Sequence, residues 1–312
     1  MKVLVTGASG FTGMQMVQHL ATDSSVTLFA LTHHPVIRGQ FPDPITSLNA
    51  ELTDPVQIAE AIRSARPDAI IHLAALNRGS LEDLLATNVN GTRNLLEAAL
   101  IVNPACRILV VSSSAVYGYA GKKPVTESTC LNPLTDYGVS KAAQEHLALM
   151  YHVTRGTQVV IARPFNLIGP SLPDSLVCGK IVRQIVEIEQ GRRDAFDLME
   201  TVSSRDFIDV RDVVKAYWAI LNHSDFTRKC AGKVFNVGSG TARTVQDILE
   251  EIQDTTGKPC RIRLPEKSPE LILPFQQADI GRIRKTSGWS PQIPFRASLR
   301  DMLTAARSGQ SQ

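Results

Sequence analysis

Tyr137 and Lys141 stand four residues apart in the segment DYGVSK, and this spacing can support proton transfer. In an α-helix, residues i and i+4 lie on one face, so the phenol and the ammonium group would be neighbours. A phenol with its ordinary pKa of about 10 is a poor acid–base catalyst at neutral pH. A nearby positive charge stabilises the phenolate and lowers that pKa. The pair is therefore predicted to donate or accept a proton, with the lysine as the tuning group.

Three adjacent hydroxyl groups follow an apolar run in the segment VSSSAVYG, residues 111–118. Any one of Ser112, Ser113 and Ser114 could hold a reacting group at the end of a strand. The next residue, Ala115, cannot take up a proton. Because a Tyr-x-x-x-Lys pair occurs by chance in many helices, it is informative only together with such a serine and a nucleotide-binding turn.

A glycine-rich turn of this kind lies near the N-terminus, in the segment VTGASGFTG. Glycines at these three positions allow a tight turn, close approach of the backbone to a pyrophosphate, and close packing of helix on strand. The phosphates would then face the N–H groups at the start of the first helix. The residues expected to bind a dinucleotide here are Gly7, Ser9, Gly10, Phe11, Thr12 and Gly13.

The residues after the second strand indicate which dinucleotide is bound. A carboxylate there would bind the adenosine ribose hydroxyls and select NAD. No Asp or Glu lies between Val26 and Gly39, and the segment instead holds neutral or basic groups. Such groups suit a 2′-phosphate, so NADP(H) is favoured over the alternative, NAD(H). The residues expected near that phosphate are Thr32, His33 and Arg38, with His34 beside them.

Apolar strands alternate with longer helical patterns over the first half of the chain. Strands are expected at 2–6, 26–31, 69–73 and in the segments RILVVSS and QVVIARP, with helices between them. This rhythm predicts an α/β fold with a Rossmann-type, doubly wound parallel sheet and a smaller C-terminal substrate-binding lobe. Residues 1–165 are assigned to the dinucleotide-binding domain, to which 206–232 also contribute. The lobe is assigned to 166–205 and 233–312.

The composition of the 312 residues excludes several classes of protein. The net charge is +3 and the basic residues are not clustered, so a nucleic-acid partner is not expected, whereas an anionic small ligand is. The five cysteines are scattered and form no Cys-x-x-Cys, so neither a disulfide framework nor a metal site is expected. The longest apolar runs, such as AIIHLAAL at 69–76, are far short of a membrane span. We expect a cytoplasmic protein without membrane contact.

Eight segments in order resemble the extended short-chain dehydrogenase/reductase family, the nucleotide-sugar epimerases, dehydratases and reductases. They are TGASGFTG, HLAA (72–75), NVNGT (88–92), SSSAVYG, YGVSK, RPFNLIGP (163–170), RDFIDVRDVV (205–214) and FNVGSG (235–240). The resemblance implies that Ser113 is the catalytic hydroxyl, that Tyr137 transfers the proton and that Lys141 also grips the nicotinamide ribose. It further implies a homodimer formed through the helices after Asn88 and Tyr137.

The same resemblance implies two sets of binding residues. Further cofactor contacts are expected from Glu51, Leu52, Leu73, Ala74, Ala75, Asn88, Val111, Tyr137, Lys141 and Arg163. The nucleotide-diphosphate sugar is expected to contact Ser114, Asn166, Lys180, Arg205 and Glu270. For Arg205 the alternative is a surface ion pair with Asp206 or Asp209.

The residues of the second half most resemble reductases of nucleotide-linked 4-keto-6-deoxyhexoses, especially those forming GDP-rhamnose. Ala115 stands where the family's 4,6-dehydratases carry a catalytic Glu, so dehydration is not expected. We therefore expect NADPH-dependent reduction of the C4 ketone of such a sugar, with a GDP-linked substrate favoured. The alternatives are a 4-epimerase with tightly bound NAD and, in another class, a non-catalytic dinucleotide-sensing protein.

Overall fold

A computed structural model describes residues 1–36, 39–42, 44–259, 261–266 and 274–309. Its strands, in chain order, are β1 (Lys2–Thr6), β2 (Thr27–Thr32), β3 (Thr46–Asn49), β4 (Ala69–His72), β5 (Arg107–Val111), β6 (Gln158–Pro164), β7 (Asn166–Ile168), β8 (Phe196–Asp197), β9 (Ser204–Asp209), β10 (Val234–Val237), β11 (Ala242–Thr244), β12 (Ile262–Arg263) and β13 (Phe275–Gln276). Its helices are α1 (Phe11–Ala21), α2 (Pro55–Ala65), α3 (Leu81–Leu84), α4 (Gly91–Val102), α5 (Asp136–Arg155), α6 (Val177–Glu189), α7 (Val210–Leu221), α8 (Phe226–Lys229), α9 (Val245–Thr256), α10 (Gly281–Ser287) and α11 (Phe295–Arg307).

Seven of the described strands form one parallel sheet in the order β10-β6-β5-β4-β1-β2-β3. Alternate residues of its central strands are buried against opposite helical layers: Val3 and Val5 pack with α1 and α7, whereas Leu4 packs with α2, α4 and α5. A strand covered on both faces has no polar side, which explains the continuous apolar runs in the sequence. The predicted doubly wound α/β fold is confirmed.

The strand order reverses at β1, which lies between β4 and β2. In open α/β sheets a ligand binds at such a switch point, in the crevice beyond the carboxyl ends of the strands. The glycine turn follows β1, and the serine segment follows β5 at this same edge. The topology therefore brings the two predicted motifs to one crevice.

A smaller sheet forms the second lobe, with β9 pairing to β7, β11 and β13. It has its own apolar core, which α6, α9 and α11 complete. The domain boundaries stay a prediction, and the structure differs from them at two strands. Val234–Val237, assigned to the lobe, pairs with β6 of the large sheet, and Ser204–Asp209, partly assigned to the main domain, lies in the small sheet. Each strand joins the sheet of its hydrogen-bonded neighbour, which lies far away in the sequence.

Candidate active site

Helix α5 places Tyr137 and Lys141 at its N-terminal end. The Thr135 hydroxyl caps this end by accepting a hydrogen bond from the Gly138 amide at 3.0 Å. The helix then runs for 20 residues and ends at Gly156 in the left-handed conformation. As the spacing predicted, the phenol and the ammonium-bearing side chain both line the cleft at the switch point.

The serine segment folds into a 3₁₀ turn, Ser114–Tyr117, directly after β5. The Ser113 hydroxyl caps this turn, because its oxygen accepts a hydrogen bond from the Ala115 amide at 3.1 Å. The Ser113 hydroxyl also lies close enough to the Tyr137 phenol to lower its pKa. Ser113 thus lies beside the phenol, and the hydrogen bond from the Ala115 amide fixes its hydroxyl at the start of the turn.

Two opposing effects act on the pKa of Tyr137. Burial raises it, and the hydrogen bond with Ser113 lowers it by a smaller amount. The spacing argument assigned the lowering to Lys141, but the ammonium of Lys141 instead donates to the Val111 carbonyl at 2.6 Å. Burial lowers the pKa of Lys141 to about 7, against the opposing effect of Glu145. The serine, not the lysine, is therefore the group that lowers the phenol pKa in this structure.

The glycine turn leaves no room for a side chain at two of its positions. Gly7 has φ +64°, and a Cβ added there would lie 2.8 Å from the amide nitrogen of Ala74. A Cβ on Gly13 would lie 2.8 Å from the backbone of Ala8. Helix α1 begins after Gly10, which has no side chain to cap it. Its first amides therefore face the crevice, as an anion-binding helix N-terminus requires.

A buried chain of hydrogen bonds holds the loop after β4 against the glycine turn. The Thr92 hydroxyl donates to the Asn88 carbonyl at 2.6 Å, so it accepts from Nε2 of His72 at 3.0 Å. Nδ1 of His72 then accepts from the Thr6 hydroxyl at 2.8 Å, and Thr6 accepts from the Ala74 amide. Burial lowers the pKa of His72 to about 3, so this imidazole is neutral and structural.

The cleft has a volume of about 650 Å³. Many of the residues predicted from sequence line it together: Gly7, Gly10, Phe11, Thr12, Gly13, Leu73, Ala75, Val111, Ser113, Ser114, Tyr137, Lys141, Asn166 and Arg205. The three proposed catalytic groups and the glycine turn therefore share one site. Arg38 and Glu270 lie outside the described residues.

Other predicted site residues take up positions beside the cleft or away from it. Four of them lie in loops that follow β1, β3 or β4: Ser9, Glu51, Leu52 and Ala74. Thr32 is the last residue of β2 and His33 follows it, whereas Asn88 lies in the helical segment Leu85–Asn90 before α4, and Lys180 lies on α6. Asn88 is buried, and its amide donates to the Leu76 carbonyl and the Ser140 hydroxyl, both at 2.9 Å. The His33 and His34 rings are exposed with centroids 3.7 Å apart.

Arg163 differs most from its predicted role as a cofactor ligand. Its guanidinium forms a bidentate ion pair with Glu145, with nitrogen–oxygen distances of 2.9 and 2.6 Å. It also donates to the Tyr117 hydroxyl at 2.8 Å, and both partners are buried. This arrangement joins α5 to β6 and keeps the arginine out of the cleft. The prediction from the segment RPFNLIGP missed that a buried carboxylate on α5 claims this side chain.

Arg205 reaches the cleft from β9 and is not paired with either neighbouring aspartate. Asp206 accepts hydrogen bonds from the amides of Ser239, Gly240 and Ala278, and Asp209 is bound by Arg211. Burial lowers the pKa of Arg205, an effect that Glu200 opposes. A guanidinium that is partly desolvated in a cleft suits a bound phosphate. Asn166, the neighbouring predicted ligand, donates to the Asp206 carbonyl at 3.1 Å.

Several cleft residues were not predicted from sequence, among them Asn77, Arg78, Tyr217 and Gln276. Asn77 and Arg78 follow the HLAA segment after one intervening residue, so their position soon after a strand was a usable signal. Tyr217 lies on the apolar face of α7 and looks like a core residue. Gln276 lies on β13, and no local sequence pattern indicates that this strand belongs to the small sheet.

The cleft fits a dinucleotide by its shape and by its polar groups. The glycine turn forms a cradle that any Cβ would obstruct at Gly7 or Gly13. At the deeper end, the hydroxyls of Ser112 and Tyr217 are buried and have no hydrogen-bond partner within the described residues. Buried polar groups are normally satisfied, so these two indicate a polar ligand there. In the described ranges, no three His, Cys, Asp or Glu side chains are grouped so as to hold a metal ion.

Comparisons with known proteins match the whole length of this architecture. The model of the family described as GDP-mannose 4,6 dehydratase matches residues 4–302. A curated relative, GDP-6-deoxy-D-mannose reductase of Pseudomonas aeruginosa, is 33% identical and aligns over 97% of this chain and 96% of its own. The UDP-glucose 4-epimerase of Lactobacillus helveticus is 27% identical over 94% of this chain and 92% of its own.

A solved structure is similar over the same extent. RMD from Pseudomonas aeruginosa, complexed with NADPH, superposes with a TM-score of 0.85 at 31% identity, covering 99% of both chains. Across the part of the chain that the structure describes, no helix is long and apolar enough to cross a membrane.

Proposed function

This chain belongs to the GDP-mannose 4,6-dehydratase family of extended short-chain dehydrogenases/reductases, and from this we propose that it reduces the C4 ketone of a nucleotide-linked 4-keto-6-deoxyhexose. The observation that carries the proposal is the meeting of Ser113, Tyr137 and Lys141 with the glycine turn in one cleft. The likeness to a GDP-6-deoxy-D-mannose reductase and to an NADPH complex supports a GDP-linked substrate and NADP(H) as the cofactor. NAD(H) is the alternative cofactor.

Each catalytic side chain has a role that follows from its position. The cofactor supplies a hydride to C4 of the sugar. Tyr137 donates its phenolic proton to the oxygen that becomes the new hydroxyl. Ser113, which lies beside Tyr137 in the cleft, holds the same oxygen. Lys141 lies one helical turn along α5 from Tyr137 and would hold the nicotinamide ribose of the bound cofactor.

Ala115 separates this chain from the dehydratases for which the family is described. Elimination needs a base to remove the proton next to the ketone, because that proton does not leave unaided. Ala115 lies in the turn that carries Ser113 and also lines the cleft. A methyl group at that place leaves ketone reduction as the better-supported chemistry.

The nucleotide diphosphate would lie towards the small lobe. Arg205 and Asn166 both line the cleft from that side. Because Arg205 forms no ion pair with Asp206 or Asp209, its guanidinium is the group we assign to a phosphate oxygen. Lys180 and Glu270 remain predictions as substrate contacts.

The test is to add GDP-, dTDP- and UDP-linked 4-keto-6-deoxyhexoses to the purified protein with NADPH and to follow NADPH absorbance. We expect oxidation only when a keto sugar is present, and fastest with the GDP-linked one. The Tyr137→Phe variant should bind NADPH normally but lose turnover. Absence of turnover with every ketone in the wild-type protein would overturn the proposal.

A 4-epimerase is the second candidate, favoured by the epimerase relative that aligns over nearly the whole chain. An epimerase would use the same three catalytic side chains and keep NAD bound between turnovers. It predicts cofactor that co-purifies with the protein and sugar interconversion without added nucleotide. A non-catalytic dinucleotide sensor would instead tolerate Tyr137→Phe without loss of function.

We also propose that the protein forms a homodimer through α4 and α5. Ile101 on α4 and Val153 on α5 are 79% and 81% exposed, and Val139 and Met150 are also exposed on α5. Burial of such side chains against a second copy would remove them from water. The test is to measure the molar mass of two variants in solution by light scattering. Val153→Glu should dissociate the dimer, whereas Val56→Glu, at an exposed position on α2, should leave it intact.

A further inference from the structure

A hydrogen bond crosses from the small lobe to the serine turn. The side-chain amide of Gln276 donates to the carbonyl oxygen of Ser114 at 2.9 Å. Both residues are buried, with Gln276 5% exposed and Ser114 7% exposed. The contact joins residues 162 positions apart in sequence. It is therefore a tertiary connection between the lobe and the segment that presents Ser113.

Gln276 is also tied to the residue assigned to the substrate phosphate. Strand β13 pairs with β9 in a parallel register that sets Gln276 opposite Arg205. Residues opposite each other in a sheet project to the same face, and both of these line the cleft. One side of Gln276 thus adjoins the substrate-binding strand, and its amide holds the catalytic turn.

The turn that Gln276 holds is short and leaves little slack. Ser114 is its first residue, and Ser113 caps it through a hydrogen bond from the Ala115 amide. A displacement of the Ser114 carbonyl therefore moves the Ser113 hydroxyl. Catalytic groups tolerate little displacement, since about 1 Å can cost on the order of a hundredfold in rate.

We propose that Gln276 is a positioning residue that links occupancy of the phosphate site at Arg205 to the placement of the Ser113 hydroxyl against Tyr137. This inference rests on the proposed ketone reduction. Gln276 touches neither the reacting carbon nor the transferred proton. It acts through the Ser114 carbonyl.

The variant Gln276→Met keeps the size of the side chain and removes the amide donor. We expect kcat for the keto sugar to fall about tenfold, while the dissociation constant of NADPH stays unchanged, because the glycine turn is untouched. The alkaline limb of the pH–rate profile should move to higher pH, because a loosened Ser113 lowers the pKa of Tyr137 less. Gln276→Leu also lacks a donor, so it should have the same effect, and it replaces the methionine variant if that one does not fold.

The adjacent glutamine provides a matched control. The side-chain amide of Gln277 donates to the Gly240 carbonyl at 2.7 Å. Gln277→Met therefore loses a hydrogen bond of the same kind without touching the serine turn. If both variants reduce kcat equally and neither shifts the pH profile, Gln276 has only a structural role and the proposal is overturned.

A measurement without turnover separates this inference from the proposed function. Hydrogen exchange of the Ser114–Tyr117 amides is followed with and without GDP. GDP should slow exchange in the wild-type protein and in Gln277→Met but not in Gln276→Met. If the protein reduces none of the ketones and this pattern holds, the proposed function fails and the link stands. If GDP slows exchange equally in all three proteins, the link is refuted.

Discussion

Removing one partner of the ion pair between Arg163 and Glu145 should cost far more stability than removing one partner of an exposed pair. The side chains of Arg163 and Glu145 are 5% and 1% exposed, and the shortest nitrogen–oxygen distance is 2.6 Å. Arg263 and Asp194 form a pair with the same 2.6 Å distance, but their side chains are 57% and 69% exposed. The two pairs therefore differ chiefly in burial.

Carboxylate-to-amide substitutions test this difference in a matched way. Glu145→Gln leaves the Arg163 charge buried without a counter-ion, which costs about 3–5 kcal/mol in such settings. Asp194→Asn leaves Arg263 in water, so the expected cost is about 0–1 kcal/mol. Because domains are stable by about 5–15 kcal/mol, the first change removes a large fraction of the total.

Urea denaturation followed by circular dichroism gives both free energies of unfolding, with the slope on urea compared to check that the unfolded state is unchanged. The double variant Glu145→Leu/Arg163→Met should lose much less than the sum of its single variants, since it leaves no unpaired charge. A cost for Glu145→Gln as small as that for Asp194→Asn would refute the burial argument. So would strictly additive single variants.

Two further predictions concern the cofactor cradle and the buried lysine. Gly7→Ala should raise the dissociation constant of NADPH, measured by fluorescence titration, because the added Cβ would meet the Ala74 backbone. Gly156→Ala is the control: Gly156 also has a positive φ, but no described atom lies within 4 Å of its added Cβ, so this variant should only lose stability. The pKa of Lys141 is lowered to about 7 in the folded protein, so between about pH 7 and pH 10 the unfolded chain binds more protons and the free energy of unfolding rises with pH. That rise should be smaller in Lys141→Met, and an identical pH dependence of the two proteins in urea titrations would contradict it.

Local spacing was enough to bring together the residues to which we assign the chemistry. Tyr137 and Lys141 share a helix face because the period of the helix dictates it, and both line the cleft. The glycines of the first turn were identified because steric demand acts between residues close in sequence. The strand–helix rhythm likewise determined the doubly wound sheet, since each apolar run had to be covered on both faces.

Contacts between distant segments could not be predicted in this way. Arg163 was expected at the cofactor, yet Glu145 on another element binds it. Gln276 was not singled out, because its position depends on the register of β13 against β9. Strand Val234–Val237, in the range assigned to the lobe, pairs with β6 of the large sheet, and no local pattern indicates that pairing.

By itself, the sequence determined the fold class, and its short, periodic spacing located the glycine turn and the Tyr137–Lys141 pair; the choice of Ser113 as catalytic hydroxyl came from the family resemblance and stays a prediction. Only the tertiary structure decided which group lies beside Tyr137, which arginine lines the cleft and which lobe residue holds the serine turn. Those outcomes depend on burial and on hydrogen bonds between residues far apart in the chain. Which side chain becomes the partner of Arg163 or of the Ser114 carbonyl is decided only when the helices and strands pack together.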